Sequence, residues 1–390
     1  MSAVHLFKGK DAGLLRGHPW IFSGAIQKKE GEISSGALVE VISHEGKTLG
    51  FGHFHEGTIA VRMLSRETQR PDQDFWDSKI DAAFRFRKNS GITKLENTNV
   101  FRLVFGEGDG LPGLVIDYYN GLAVVQPHTR GMEQSLGFIS ESLQKIKELK
   151  IDTLYHKPVS SSGENPTDAG KFLWGSEGVR EVSEYGKKFL VDVITGQKTG
   201  FFIDQRENRK LLQELSAGKE VLNTYCYSGG FSAYALAGGA KRVDSVDSSA
   251  RAIELCNKNI ALNGFSDAQH RGIEMETSRF LEKESGEYDI IVLDPPAFAK
   301  SHKSRHRGLS GYKRINSLAL KKIKKGGFLF TFSCSQAVDR QLFYDAVRAA
   351  AIHAGRACRV VAHLSQPACH PVHIFHPEGE YLKGLVLYAE

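Results

Sequence analysis

The stretch Val221 to Gly230, VLNTYCYSGG, restricts what this chain can fold into more than any other. Apolar residues climb to a pair of glycines, the helix-compatible run FSAYALA follows, and a second apolar run ends at Asp247, twenty-four positions after Asn223. That order is one βαβ unit. In such a unit a cofactor lies across the strand ends, Gly229 and Gly230 admit close approach of the backbone, and an acid closing the second strand binds a ribose diol. The dinucleotide fingerprint G-x-G-x-x-G is absent, which disfavours a nicotinamide cofactor and favours a nucleoside without a pyrophosphate, such as S-adenosylmethionine. On the glycines alone, a tight turn in an ordinary α/β fold is the competing explanation.

A chain of 390 residues exceeds one typical domain, so two or three are expected. No apolar run approaches the roughly 20 residues of a membrane span, and the start, MSAVHLFKGKDAG, lacks the apolar core of a signal peptide. A cytoplasmic location and no membrane partner are therefore expected. The five cysteines are odd in number and show no C-x-x-C spacing, which argues against a disulfide framework or a zinc ribbon. The net charge of +6 is modest but concentrated: Phe298 to Lys325 holds ten basic residues and no acid. Lys303, Arg305 and Arg307 in that segment are candidate phosphate contacts.

Residues 1–70 read as a small β-rich domain, because ALVEVIS and TIAVRML alternate with period two and glycines punctuate the turns. The segment GLLRGHPWIFSGAI sets Arg16, His18 and Trp20 beside a proline, a cationic and aromatic surface suited to single-stranded RNA; Trp20 and Phe22 as core is the plainer alternative. A mixed α/β block over 71–180 follows, with a helix from about Phe75 to Asn89 that turns Phe75, Ile80, Ala83 and Phe84 inward. Strands flank turns at Gly108 to Gly113 and Asn120-Gly121, and Glu107 and Asp109 read as exposed turn acids. Over 181–390 strands alternate with helices, the signature of a parallel doubly wound sheet. Asp204 and Glu207 resemble a capping box, Ser248 or Ser249 caps a later helix, and Cys256 falls on its core face.

Two strand ends carry chemistry. The apolar run YDIIVL ends at Asp294-Pro295-Pro296-Ala297-Phe298, where a doubly wound fold puts its active site. The prolines fix a rigid, non-helical backbone, so Asp294 and nearby carbonyls face a planar base, with Phe298 available to stack on it. GGFLFTFS delivers Cys334 in the same way, before a helix beginning near Asp339. A thiol near a helix N-terminus in a cationic field gains thiolate character, which makes Cys334 the candidate nucleophile; a small buried hydrophobe is the alternative. In the tail, Cys369, His370, His373 and His376 lack a recognised finger spacing, so no metal is expected and an antiparallel hairpin closing the sheet is the simpler reading.

Taken in order, TGFFIDQRENR, VLNTYCYSGGFSAYALAGGA, SVDSS, DPPAFAKS, FTFSCS and HPEGEYLKGL, with FGEGDGLPGLVID and RGHPWIFSGAI before them, resemble the RlmI-type 23S rRNA 5-methylcytosine methyltransferases over essentially the whole chain. The resemblance implies a PUA-like RNA-binding domain, a central mixed α/β domain and a C-terminal Rossmann-like class I methyltransferase domain, and it turns the aromatics of the first domain toward RNA. It puts S-adenosylmethionine against Asn223, Tyr225, Ser228, Gly229 and Gly230, with Asp247 on the ribose, Gln205 and Arg206 nearby, and Glu276 at the adenine where the family commonly has Asp. Asn223 stands where many class I methyltransferases have an acid. Asp294 and Cys334 would face the cytosine of large-subunit rRNA, beside Pro295, Pro296 and Phe298. The resemblance leaves room for a homodimer.

Cytosine C5 is a poor nucleophile, so its methylation needs a thiolate on C6, the part implied for Cys334. Related two-cysteine enzymes have a second cysteine in the proline motif to release the adduct; here Pro296 and Ala297 stand there, and the releasing base is unassigned. A base N-methyltransferase acting on guanine or adenine also uses D-P-P but needs no thiol, and a non-catalytic ribosome-binding protein would need neither Cys334 nor the cofactor loop.

Overall fold

The computed structural model describes residues 2–159, 170–283 and 286–390. The chain divides into two compact units, one formed by Met1–Val182, Val191–Phe201 and Ala368–Gly379, the other by Ser183–Leu190, Phe202–Pro367 and Glu380–Glu390. In the first unit, six strands (Ala3–Leu6, Trp20–Phe22, Ile26–Glu30, Leu38–Ile42, Thr48–Phe54 and Ile59–Ser65) form one sheet. Their period-two pattern buries Val4, Leu6, Val39, Val41, Val61 and Met63 in a common core.

A second sheet of this unit is made by Val100–Phe105, Leu114–Tyr119, Leu122–Pro127, Thr153–His156 and Lys171–Trp174. Asn120 and Gly121 both have positive φ, 47° and 93°, as a two-residue hairpin turn requires. The helix Gln73–Asn89 buries Trp76, Ile80, Ala83 and Phe84; Phe75, expected inward, is only half-buried. Asp109 is no exposed turn acid: its side chain is 4% exposed and takes a bidentate bond from the fully buried Arg87. A buried guanidinium needs such a partner, and the loop acid supplies it. Glu107 accepts a bond from Trp20 Nε1 at 2.8 Å.

The second unit is a seven-stranded sheet. Its strands are β1 (Glu220–Thr224), β2 (Arg242–Asp247), β3 (His270–Glu274), β4 (Tyr288–Leu293), β5 (Ile323–Ser333), β6 (Cys358–Ser365) and β7 (Lys383–Ala389). Its helices are α1 (Arg206–Leu215), α2 (Gly230–Ala237), α3 (Ala250–Leu262), α4 (Thr277–Lys283), α5 (Arg305–Lys322) and α6 (Arg340–Ala354). The strand order is 3-2-1-4-5-7-6, with β1 to β5 parallel and β7 antiparallel to both its neighbours. Residues 290–293 of β4 are fully buried, as a sheet covered on both faces demands. The order reverses between β1 and β4, and in such sheets the crevice beyond the strands' carboxyl ends at this point takes the ligand.

Local expectations fared unevenly. Ser249 caps α3 by accepting the Ala252 amide, Asp339 caps α6 by accepting that of Leu342, and Cys256 is fully buried. The Asp204 and Glu207 capping box does not form: Asp204 accepts from Tyr381 Oη at 2.6 Å and Glu207 from Tyr185 Oη at 3.1 Å. β6 and β7 are the antiparallel pair that ends the sheet, but the cysteine- and histidine-bearing tail between them belongs to the first unit. Among the described residues no helix is long and apolar enough to cross a membrane.

Candidate active site

The loop from β1 to α2 is shaped by backbone constraint. Tyr225, Tyr227 and Gly229 all have positive φ, 54°, 45° and 76°. For each tyrosine this costs about 1–2 kcal/mol, so surrounding contacts must hold the loop. Asp247, ending β2, accepts the amides of Tyr227 and Ser249, each at 3.0 Å, and Asn259 donates to the Ser228 carbonyl at 2.8 Å. A Cβ at Gly229 would lie 2.5 Å from Cys256 Sγ, and one at Gly230 3.1 Å from Arg209 Cδ. Glycine is needed at the first position on both counts, conformation and space.

Around this loop the expected residues take distinct places. Tyr225 is half-buried, and its phenol is pushed up to about 12 by burial and by the charges of Glu276 and Asp247, so it stays protonated at neutral pH. Glu276 sits at the start of α4, where its carboxylate accepts from Ser278 at 2.6 Å and from the Arg279 amide at 2.8 Å. Burial works to raise its pKa, and these bonds outweigh burial and hold it below the ordinary value. Asn223 is 1% exposed; its amide donates to Ser232, in a buried chain running on to Ser245 and His270. Gln205 is buried and accepts from Asn208. Arg206, expected near the cofactor, is 1% exposed and pairs through Nε with the fully buried Glu184 at 3.1 Å. Arg209 and Tyr234 Oη complete the shell around Glu184, because a carboxylate removed from water must be matched by charge and donors.

The other end of the crevice is built from side-chain oxygens. β4 and β5 are parallel neighbours with Leu293 opposite Thr331, so Asp294 and Cys334 leave adjacent strands at the same edge of the sheet. Asp294 and Cys334 are both half-buried; Cys226, Cys256 and Cys369 are buried. Tyr312 of α5, fully buried, ties the two turns together: its hydroxyl bonds Ser335 Oγ at 2.8 Å and accepts from Ser333 Oγ at 2.9 Å. Ser335 Oγ in turn accepts the Ala299 amide at 3.1 Å. Gly308 lets α5 approach Ala299, whose Cβ would lie 2.7 Å from a Cβ there. Phe298 packs its ring on Tyr312, 4.8 Å between centroids, and is half-buried. Pro295 is buried and Pro296 exposed. Serines two apart around a cysteine were visible in the sequence, but their shared tyrosine was not.

The basic segment separates into two kinds of residue. Lys303, just before α5, and Arg305 and Arg307, in its first turn, are exposed. Arg314 and Lys324, further on, pair with Glu282 at 2.9 Å and Glu220 at 2.7 Å. In the first unit, Arg16, His18, Trp20 and Phe22 line an open groove of about 750 Å³ together with Phe375, and Phe22 and Phe375 are 47% and 52% exposed. His18, His376 and Glu378 of that unit bring ligand atoms within 4.8 Å of one another. His18 Nδ1 accepts the Trp20 amide, which leaves the ring proton on Nε2, the atom facing Glu378 at 3.6 Å. A ring in that tautomer has no lone pair on Nε2 for a cation.

A doubly wound sheet with a glycine loop after its first strand, an acid closing the second and polar motifs ending the fourth and fifth defines a nucleoside-cofactor transferase. The family model for S-adenosylmethionine-dependent methyltransferases matches residues 156–371, and that for PUA-like domains matches residues 4–66. The chain belongs to the ribosomal RNA large subunit methyltransferase I family. It is 36% identical to the member from Aeromonas hydrophila, covering 100% of this chain and 99% of that protein, and 37% identical to the one from Vibrio cholerae, covering 98% of each. A methyltransferase solved with SAH matches the fold with a TM-score of 0.85 at 21% identity, covering 100% of both chains; Trm5b from Pyrococcus abyssi matches at 0.54 and 14%, covering 100% of this chain and 99% of that one. The protein is thus an rRNA methyltransferase that uses S-adenosylmethionine.

Proposed function

We propose that the base atom methylated is cytosine C5 of 23S rRNA, with Cys334 as covalent nucleophile and Asp294 on the base edge. What supports the reading is that Asp294 and Cys334 follow adjacent parallel strands and that their turns are joined through Tyr312, Ser333 and Ser335. S-adenosylmethionine, when bound, supplies an electrophilic methyl group. The Cys334 thiolate adds to C6, which makes C5 enamine-like. Asp294 holds the N3 and amino edge, a contact that strengthens as charge develops in the adduct. The Pro295-Pro296 backbone keeps that carboxylate in place.

The cofactor would lie along Tyr225 to Gly230, a loop that Gly229 and Gly230 let pack closely on Cys256 and Arg209, with the Asp247 carboxylate on the ribose. Gln205, Asn223 and Arg206, whose side chains have buried partners, would shape this wall from behind. Lys303, Arg305 and Arg307 would meet phosphates. Arg305 and Arg307 stand in the first turn of α5, where the helix dipole disfavours a cation and an RNA phosphate offsets that cost. Trp20 and Phe22 would stack on bases of single-stranded RNA.

The test is Cys334→Ala. Turnover should disappear while cofactor affinity and the circular dichroism spectrum persist, and RNA carrying 5-fluorocytosine should trap the wild-type protein through Cys334. Activity retained in the variant, with nucleoside mass spectrometry showing a methylated guanine or adenine, would give the enzyme to the nitrogen-methylating class.

A further inference from the structure

We infer that Lys383 is the cationic partner that holds Cys334 as a thiolate, an inference that rests on the reading of Cys334 as nucleophile. Lys383 is the first residue of β7, where it stands opposite Ser333 of β5 on one side and Ser365 of β6 on the other. It is 4% exposed, and its Nζ donates to the Ser335 carbonyl at 2.8 Å, one residue beyond the thiol. An ammonium in this position needs an anion, because a single carbonyl leaves most of its lost hydration unmatched.

The charged groups that face Lys383 are Cys334, Arg340, Asp339 and Glu380. Glu380 is held by Arg340 at 2.7 Å, and Asp339 is engaged as the cap of α6, accepting the Leu342 amide at 2.8 Å. Cys334, one residue before the carbonyl that Lys383 bonds, is as a thiolate the foremost of the charges that favour the ammonium. Burial lowers Lys383 to about 8, and the Cys334 charge opposes that fall. At neutral pH the amine therefore remains mostly protonated, and each member of the pair favours the charged form of the other. The thiol proton goes to solvent; Lys383 stays an ammonium throughout and forms no bond to the base. Lys383 is accordingly a positioning residue acting through the nucleophile.

The experiment follows alkylation of Cys334 by iodoacetamide against pH on the full chain, reading the Cys334 peptide by mass spectrometry. The wild type should show a midpoint about one unit or more below the roughly 8.5 of a free cysteine. Lys383→Met should return it to the ordinary value and slow alkylation at pH 7 about tenfold, whereas Lys383→Arg, which keeps the charge, should stay close to wild type. A wild-type midpoint at the ordinary value overturns the inference without any variant, as do superimposable wild-type and Lys383→Met profiles. Parallel trapping on 5-fluorocytosine RNA separates the two readings. A shifted midpoint with no adduct removes the C5 chemistry and leaves the pair standing; an adduct with an ordinary midpoint does the reverse.

Discussion

At the ends of β1 and β2 the crevice is made of backbone: three positive-φ residues in five, a glycine pressed on Cys256, and amides gathered by Asp247. At the ends of β4 and β5 it is made of side-chain oxygens meeting on one buried tyrosine. The first arrangement fixes a shape that any change of conformation destroys. The second fixes the relative position of the turns that carry Asp294 and Cys334, and a single oxygen can be removed from it while the chain path persists. Substitutions at one end should therefore alter cofactor affinity, and at the other end turnover.

The largest effect should come from Gly229→Ala. The added Cβ meets both a φ of 76° and the Cys256 sulfur, so we expect loss of measurable S-adenosylmethionine binding and a stability cost of at least about 1–2 kcal/mol, read by calorimetry and thermal melting. Asp247→Ala comes next. A charge-assisted bond to ribose is worth about 1.5–3 kcal/mol, roughly ten- to more than one-hundred-fold in affinity, and unchanged binding would put the ribose elsewhere. Tyr312→Phe probes the other end: loss of the shared hydroxyl should lower turnover about tenfold with cofactor affinity intact. Should affinity fall in step with turnover, the two ends would be one mechanical unit and the contrast would not hold. The smallest effect is expected from replacing Lys303, Arg305 and Arg307 together with Ala. The slope of log RNA affinity against log salt should flatten by about 2, at roughly 0.7 per single-strand phosphate contact. An unchanged slope would return these residues to the solvated surface.

The sheet was legible because its signals are local. An apolar run that stops at Asp247, Asp294 or Cys334 announces both a buried strand and its carboxyl end. The glycine loop was legible for the same reason, since its conformation is written in its own residues. What escaped was pairing at a distance. Asp109 looks like any turn acid until Arg87, in the helix before the preceding strand, is brought beside it. Asp204 and Glu207 have the spacing of a cap, yet tyrosines from elsewhere in their unit take both carboxylates first. Arg206 is expected beside the cofactor from the resemblance, and only the fold reveals that it balances Glu184. Lys383 lies within the tail motif EYLKGL, but its position beside Cys334 depends on an antiparallel register that no local pattern encodes.

Cys226 and Cys256 are 6% and 0% exposed; the first lies within the strained loop and the second directly against it. A thiol reagent can reach them only when that loop lifts, so their labelling rate is a clock for local opening, as amide exchange is for a backbone. Read in the same digest as Cys334, they give the protein two built-in reporters, one at the proposed nucleophile and one for the breathing of the glycine loop. S-adenosylmethionine should slow the second clock in proportion to how far it holds the loop shut.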